Sequence, residues 1–212
     1  MPHLVLLGDS VLDNGAYTAG GPPVIEQVAQ RLPAGWKATL CAVDGSMADD
    51  IAAQLARLPS DATHLLLSVG GNDALMRADV LQTPVAVSGE AFALLHAAVR
   101  DFDAAYRRML DACIARGLPL VTCTIYHGNF PDPVYQQCVA VALTVFNDAI
   151  LRVAADHGLA VLDLRSICTL PADYANPIEP SSQGGAKIAD AIVSALIGPT
   201  DGLREARLLR MA

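Results

Sequence analysis

The sequence predicts an α/β fold with three layers, a five-stranded parallel sheet covered by helices on both faces. Two observations carry this. Apolar runs of strand length alternate along the chain with amphipathic segments of helix length, the order that builds parallel crossovers. Each run is also apolar at successive positions, as a strand buried on both faces requires.

The strands are expected at His3 to Leu7, Ala38 to Val43, His64 to Val69, Leu118 to Ile125 and Ala160 to Leu164. Between them, Val24 to Leu32 and Met47 to Leu58 read as short helices, Glu90 to Ala115 and Pro133 to His157 as long ones, and Gly185 to Ile197 closes the fold. Ser46 is placed to cap the second helix, with Asp49 and Asp50 at the positive end of its macrodipole. Gly117 can end the third helix in the left-handed conformation, and Pro119 opens the fourth strand. The loops Thr83 to Gly89 and Gly128 to Pro133 suit crevice walls. Residues 1–198 are read as one domain and 199–212 as a tail forming a short, charged, peripheral helix. Its Leu203, Leu208, Leu209 and Met211 could contact a second copy, which permits a homodimer.

With 212 residues, 53% of them hydrophobic, the chain can bury one sizeable core. Only 14 Lys and Arg stand against 22 Asp and Glu, for a formal net charge of −8. No basic cluster is present to neutralise phosphates, so nucleic acid is excluded as a partner. No apolar run reaches the roughly 18 residues of a membrane span, and the N-terminus shows no basic leader with a cleavage pattern, so a cytoplasmic location is expected. The five cysteines, Cys41, Cys113, Cys123, Cys138 and Cys168, are scattered and without a C-x-x-C pair. They read as buried free thiols, and no metal site is expected.

The chemistry-bearing residues gather at three strand-to-helix junctions: Gly8-Asp9-Ser10, Asp44-Gly45-Ser46 and Gly70-Gly71-Asn72-Asp73. In a parallel sheet all three emerge at one edge, where open α/β folds hold their ligands. A serine hydroxyl, a glycine amide open to close approach and an asparagine amide are what acyl transfer needs, since a tetrahedral intermediate places negative charge on the former carbonyl oxygen. Taken singly, each has a plainer reading: Ser10 as a helix N-cap, Gly45 as a turn glycine, Gly70 to Asp73 as a tight turn. Asp9 is expected to order the Ser10 loop through backbone amides. Asp13 to Tyr17 is expected to form the crevice mouth, where Tyr17 shapes access.

Leu6-Leu7-Gly8-Asp9-Ser10, Gly45 and Gly70-Gly71-Asn72-Asp73, in this order and spacing, resemble the first three blocks of the SGNH hydrolases, also called GDSL esterases and lipases. The resemblance implies a flavodoxin-like strand order 2-1-3-4-5 and a small-molecule ester as substrate. It implies Ser10 as nucleophile, an oxyanion hole from the Ser10 amide, the Gly45 amide and the Asn72 side chain, and no cofactor. It spans lipids, acetylated sugars, thioesters and aryl esters; the lack of a long apolar lid points to short acyl or acetyl groups.

The last block departs from the family pattern. Where D-x-x-H supplies acid and base, this chain has Asn176-Pro177-Ile178-Glu179, followed by Pro180-Ser181. Glu179 thus stands in the histidine position and Asn176 in the aspartate position. One reading makes Glu179 the general base. A histidine becomes a cation on taking a proton and gains from a carboxylate neighbour, whereas a glutamate becomes neutral and is better oriented by an amide such as Asn176. Its handicap is basicity: an ordinary Glu lies about two units below His, about 3 kcal/mol, which burial would have to offset. A second reading gives the base to His127, which follows the fourth strand at the same edge. A third is a scaffold that has lost turnover and binds an acyl or other small ligand.

Overall fold

Alternate residues of the first strand enter opposite cores. Val5 and Leu7 pack on one side of the sheet, and Leu4 and Leu6 on the other, all fully buried. The computed structural model describes residues 1–198. Its strands are β1 (His3–Gly8), β2 (Lys37–Leu40), β3 (His64–Ser68), β4 (Leu120–Cys123) and β5 (Ala160–Leu162). They form one sheet in the order β2-β1-β3-β4-β5, every pairing parallel. The helix expected over residues 199–212 lies outside the described residues.

Helices α1 (Val24–Arg31), α6 (Leu164–Ile167) and α7 (Ser182–Ile197) cover the Leu4 and Leu6 face. The opposite face is covered by α2 (Ile51–Leu55), α4 (Ser88–Ile114) and α5 (Pro133–Asp156). Local chemistry sets the boundaries. The Asp132 carboxylate accepts from the N–H groups of Val134 and Tyr135 at 2.8 and 2.9 Å, and Pro133 occupies the first turn of α5, where its missing N–H costs nothing. Ser181 Oγ accepts from Gly184 N–H at 3.1 Å to start α7. Gly117, at φ +68°, ends α4 as expected.

Several expectations are corrected. The helix expected from Met47 to Leu58 is a 3-10 turn, Ala48–Asp50, followed by the short α2, with Asp50 folding back to accept from Met47 N–H at 2.8 Å. Ser46 caps nothing; it is buried, and its hydroxyl accepts from Gln54 Nε2 at 3.1 Å. Gly70 to Asp73, for which a tight turn was the plainer alternative, opens a short helix, α3 (Gly71–Leu75). β2 and β5, at the sheet's edges, are only partly buried. Cys138 is exposed, while the other four thiols are buried and all five are free. By length and composition α5 is apolar enough to cross a membrane, against the expectation for this chain; here it packs on the sheet and on α4, with the rings of Phe146 and Phe102 5.2 Å apart.

The hinge of the architecture is the end of β1. Gly8 has φ +139°, and a Cβ on it would lie 1.8 Å from the Ser68 carbonyl oxygen, so no other residue fits. Gln54, a buried amide on α2, clamps Gly8 from the other side. Its Oε1 accepts from Gly8 N–H and its Nε2 donates to the Gly8 carbonyl, both at 2.8 Å. Gln54→Leu keeps the volume and strands the Gly8 N–H without an acceptor. The expected loss of stability is about 1–3 kcal/mol, read as a lower urea midpoint with unchanged slope; an unshifted midpoint would show that the clamp adds nothing.

Candidate active site

Beyond Gly8 the chain turns sharply. Asp9 N–H donates to the Ser68 carbonyl at 3.1 Å, and the Asp9 carbonyl accepts from Leu12 and Asp13 at 3.1 and 3.0 Å. Ser10 sits on this turn, buried to 6% exposure. It caps no helix, since α1 begins only at Val24. Asp9 orders the turn as anticipated, its carboxylate accepting from Val11 N–H at 3.1 Å.

Ser10, Asp9, Asn72, His127 and Glu179 line one cavity of about 110 Å3. Asn72 stands on α3 and donates from Nδ2 to the Ser46 carbonyl at 3.0 Å. A primary amide carries two N–H donors, so the second is not consumed by this bond. Asp73 ties the same helix to the second junction, accepting from Ala48 N–H at 3.1 Å. Gly45, at φ +81°, lies one residue from the carbonyl that Asn72 holds. It is exposed and faces a shallow neighbouring depression rather than the cavity wall.

Glu179 is delivered by a tightly held loop. The carbonyls of Pro177, Ile178, Glu179 and Pro180 accept from Asn129 N–H at 2.8 Å, Tyr126 OH at 2.5 Å, Ala175 N–H at 2.9 Å and Asn14 Nδ2 at 3.2 Å respectively. Asn176 acts on the backbone only. Its Oδ1 accepts from the N–H groups of Ile178 and Glu179 at 3.0 and 2.9 Å, so it shapes the turn instead of orienting the carboxylate as expected.

The Glu179 side chain is buried to 6% exposure, and its Oε2 has no hydrogen-bond partner. Burial therefore pushes its pKa above the ordinary 4.5, the Ser10 hydroxyl pulls it partly back, and the charge of Asp44 adds to the rise. The hydroxyl and the carboxylate act on each other without closing a short hydrogen bond among the described residues. Asp9 is 2% exposed, and burial, reinforced by the charges of Glu179 and Asp73, lifts its pKa to about 7. Burial raises Asp73 as well.

Three supporting residues escaped the sequence reading. Gln54 showed itself only as a lone polar residue inside the apolar stretch Ile51 to Leu55. Asn14, fully buried, was read as part of a mouth loop; its Oδ1 accepts from Val24 N–H at 2.8 Å while its Nδ2 holds Pro180. Tyr126, three residues past the end of β4, carried no motif at all. Tyr17 donates to Asp44 at 2.6 Å, beside the second junction and outside the lining of the Ser10 cavity.

The GDSL-like lipase/acylhydrolase family matches the chain over residues 6–186. Among solved structures, an extracellular lipase from Streptomyces rimosus superposes with TM-score 0.67 at 21% identity, covering 92% of this chain and all of its own. A phospholipase A1 from Streptomyces albidoflavus superposes with TM-score 0.67 at 19% identity, covering 91% of this chain and 98% of its own. The lipase Lip_vut3 from a goat rumen metagenome reaches TM-score 0.72 at 16% identity, over 93% of this chain and 99% of its own. At these identities the likeness is one of fold. No curated protein matches the chain.

The buried Asp9 makes stability depend on pH. Below about pH 3.8 its carboxyl is protonated in both folded and unfolded chains; between there and about 7 only the folded chain holds the proton. Stability from this group thus falls as pH rises through that window and is fully lost above it. Asp9→Asn retains the acceptor for Val11 and removes the titration. It is expected to be more stable than the parent near pH 8, by up to on the order of 4 kcal/mol, and nearly equal near pH 4. Urea unfolding at both pH values checks this, and a difference independent of pH would mean that Asp9 does not hold its proton.

Proposed function

Because the chain belongs to the GDSL-like lipase/acylhydrolase family, we propose that it is a serine ester hydrolase in which Ser10 attacks the ester carbonyl and Glu179 accepts its proton. The observation that supports this base is the buried Glu179 carboxylate, with an unpartnered Oε2, in the cavity that holds Ser10. Lone pairs without donors in an apolar surround are basic ones.

In this reading the Ser10 oxygen bonds to the carbonyl carbon as its proton passes to Glu179. The carbonyl oxygen takes the negative charge and is met by the Ser10 N–H and the second Asn72 N–H, while Gly45, at the neighbouring depression, is left out of this set; each such donor is worth about 3–4 kcal/mol. Protonated Glu179 then gives its proton to the departing alcohol, leaving acyl-Ser10. A water attacks the acyl carbon as Glu179 takes its proton, and collapse breaks the bond to Ser10 Oγ, releases the carboxylic acid and passes the proton from Glu179 to the Ser10 oxygen, which restores both groups. Asn176 supports the base through the backbone of the 176–179 turn. His127 lines the same cavity, but its imidazole has no hydrogen-bond partner among the described residues, so nothing there fixes a tautomer.

Turnover of p-nitrophenyl esters tests the assignment. Ser10→Ala is expected to abolish it, together with covalent labelling by a fluorophosphonate, and Glu179→Gln to lower kcat/KM by about 10²–10⁴. A base must be deprotonated to act, so activity falls as pH drops through the Glu179 pKa, which lies above 4.5. Glu179→His should carry that acidic limb toward about 6.5. A limb lost in His127→Ala and kept in Glu179→Gln would transfer the base to His127; a protein that binds acyl ligands but resists labelling would be a binding module.

A further inference from the structure

The cavity at Ser10 is far deeper on its apolar side than an acetyl group needs. From the Ser10 and Glu179 end it runs between α4 and α5, with Val80, Leu81 and Leu95 on one wall and Val139, Leu143 and Phe146 on the other. The depth has a structural cause. The buried residues of α4 begin at Ala98, and those of α5 at Leu143. The first turns of both helices therefore leave Leu95, Tyr135 and Val139 half-buried, facing the cavity instead of a protein core.

We propose that this space seats the acyl chain of the substrate, a linear chain of about six to ten carbons, with its carbonyl at Ser10. The inference rests on the hydrolase reading and adds the substrate class to it. Size sets the length. A water-sized group needs about 10–15 Å3 of such space, and a methylene is of similar bulk, so about 110 Å3 takes a chain of that order. Polarity sets the class. The carboxyls of Asp9 and Glu179, with Asn72, stand at the reacting end, whereas beyond them the apolar Val80, Leu81, Leu95, Val139, Leu143 and Phe146 outnumber the polar Arg77 and Tyr135. An acetylated sugar would leave most of its hydroxyls unmatched there. The sequence alone favoured short acyl groups because it shows no lid segment; the room comes instead from two helices that do not close on each other.

The test separates the seat from the catalysis. Methyl ketones from butan-2-one to dodecan-2-one are neutral, so the acidic end does not repel them, and they are not hydrolysed. Their affinity for the parent protein, measured by calorimetry, should rise about fourfold per methylene and level off near ten carbons. For p-nitrophenyl esters, kcat/KM should peak between hexanoate and decanoate. Ala142 lines the cavity on α5; Ala142→Phe should bring the levelling-off to shorter ketones and lower the octanoate-to-acetate ratio at least tenfold. Ketone affinity flat with chain length, acetate as the best ester, or a folded Ala142→Phe with unchanged preferences would each overturn the proposal. Chain-length-dependent ketone binding with no ester turned over would uphold the seat and remove the hydrolase reading.

Discussion

Gly8 can lie against the Ser68 carbonyl only because it has no side chain, and the placement of everything reactive follows from that approach. In the order β2-β1-β3-β4-β5, the chain leaves β1 and β3 in opposite directions, so their carboxyl ends border the natural crevice of the sheet. Drawing the end of β1 onto the end of β3 puts the Ser10 turn beside the helix that carries Asn72. Gln54 holds Gly8 from the far side, and Asn72 and Asp73 hold the second junction. Three loops that share no sequence are thereby tied into one rim by side-chain bonds to backbone groups.

The proposed glutamate base would give acyl transfer a different charge balance from a histidine base. With histidine, an ion pair is created, imidazolium against oxyanion. With Glu179 as base, one negative charge moves from carboxylate to oxyanion and the total stays constant. A second fixed negative charge beside it would oppose the oxyanion at every stage. Asp9 is that neighbour, and burial keeps it largely protonated up to about pH 7. Asn176, uncharged and turned to the backbone, brings no charge to the site either.

The strands and the three junctions were legible in the sequence because each is written in contiguous residues, an apolar run, a glycine, a polar group at the strand's end, whereas the order of the strands came from the family resemblance. Helix ends were legible where a local cap decides them, as at Gly117. They were misplaced around Ser46, whose buried hydroxyl accepts from the Gln54 side chain of the following helix instead of capping that helix through its backbone. The register of the last block placed Glu179 correctly in the cavity, but the role of Asn176 could not be read, since an amide three residues away serves side chain or backbone equally well on paper. Asn14, Gln54 and Tyr126 were illegible for the same reason: their partners lie in segments distant in sequence, brought near only by the finished fold. The cavity between α4 and α5 was the least legible feature, because it arises from what two amphipathic helices fail to cover.

That failure to cover links binding to basicity. The apolar walls that would take an acyl chain also strip water from Glu179, and the lift in its pKa comes first from desolvation. A chain lying along those walls would expel the water that remains, strengthening every charge interaction at the reacting end. The carboxylate would then be most basic when the substrate that needs it is in place, and less so in the open cavity. A histidine, whose neutral form is its basic form, gains nothing in this way, since desolvation lowers its pKa. An apolar acyl seat and a glutamate base are thus mutually reinforcing, and each makes the other more reasonable in this fold than either would be alone.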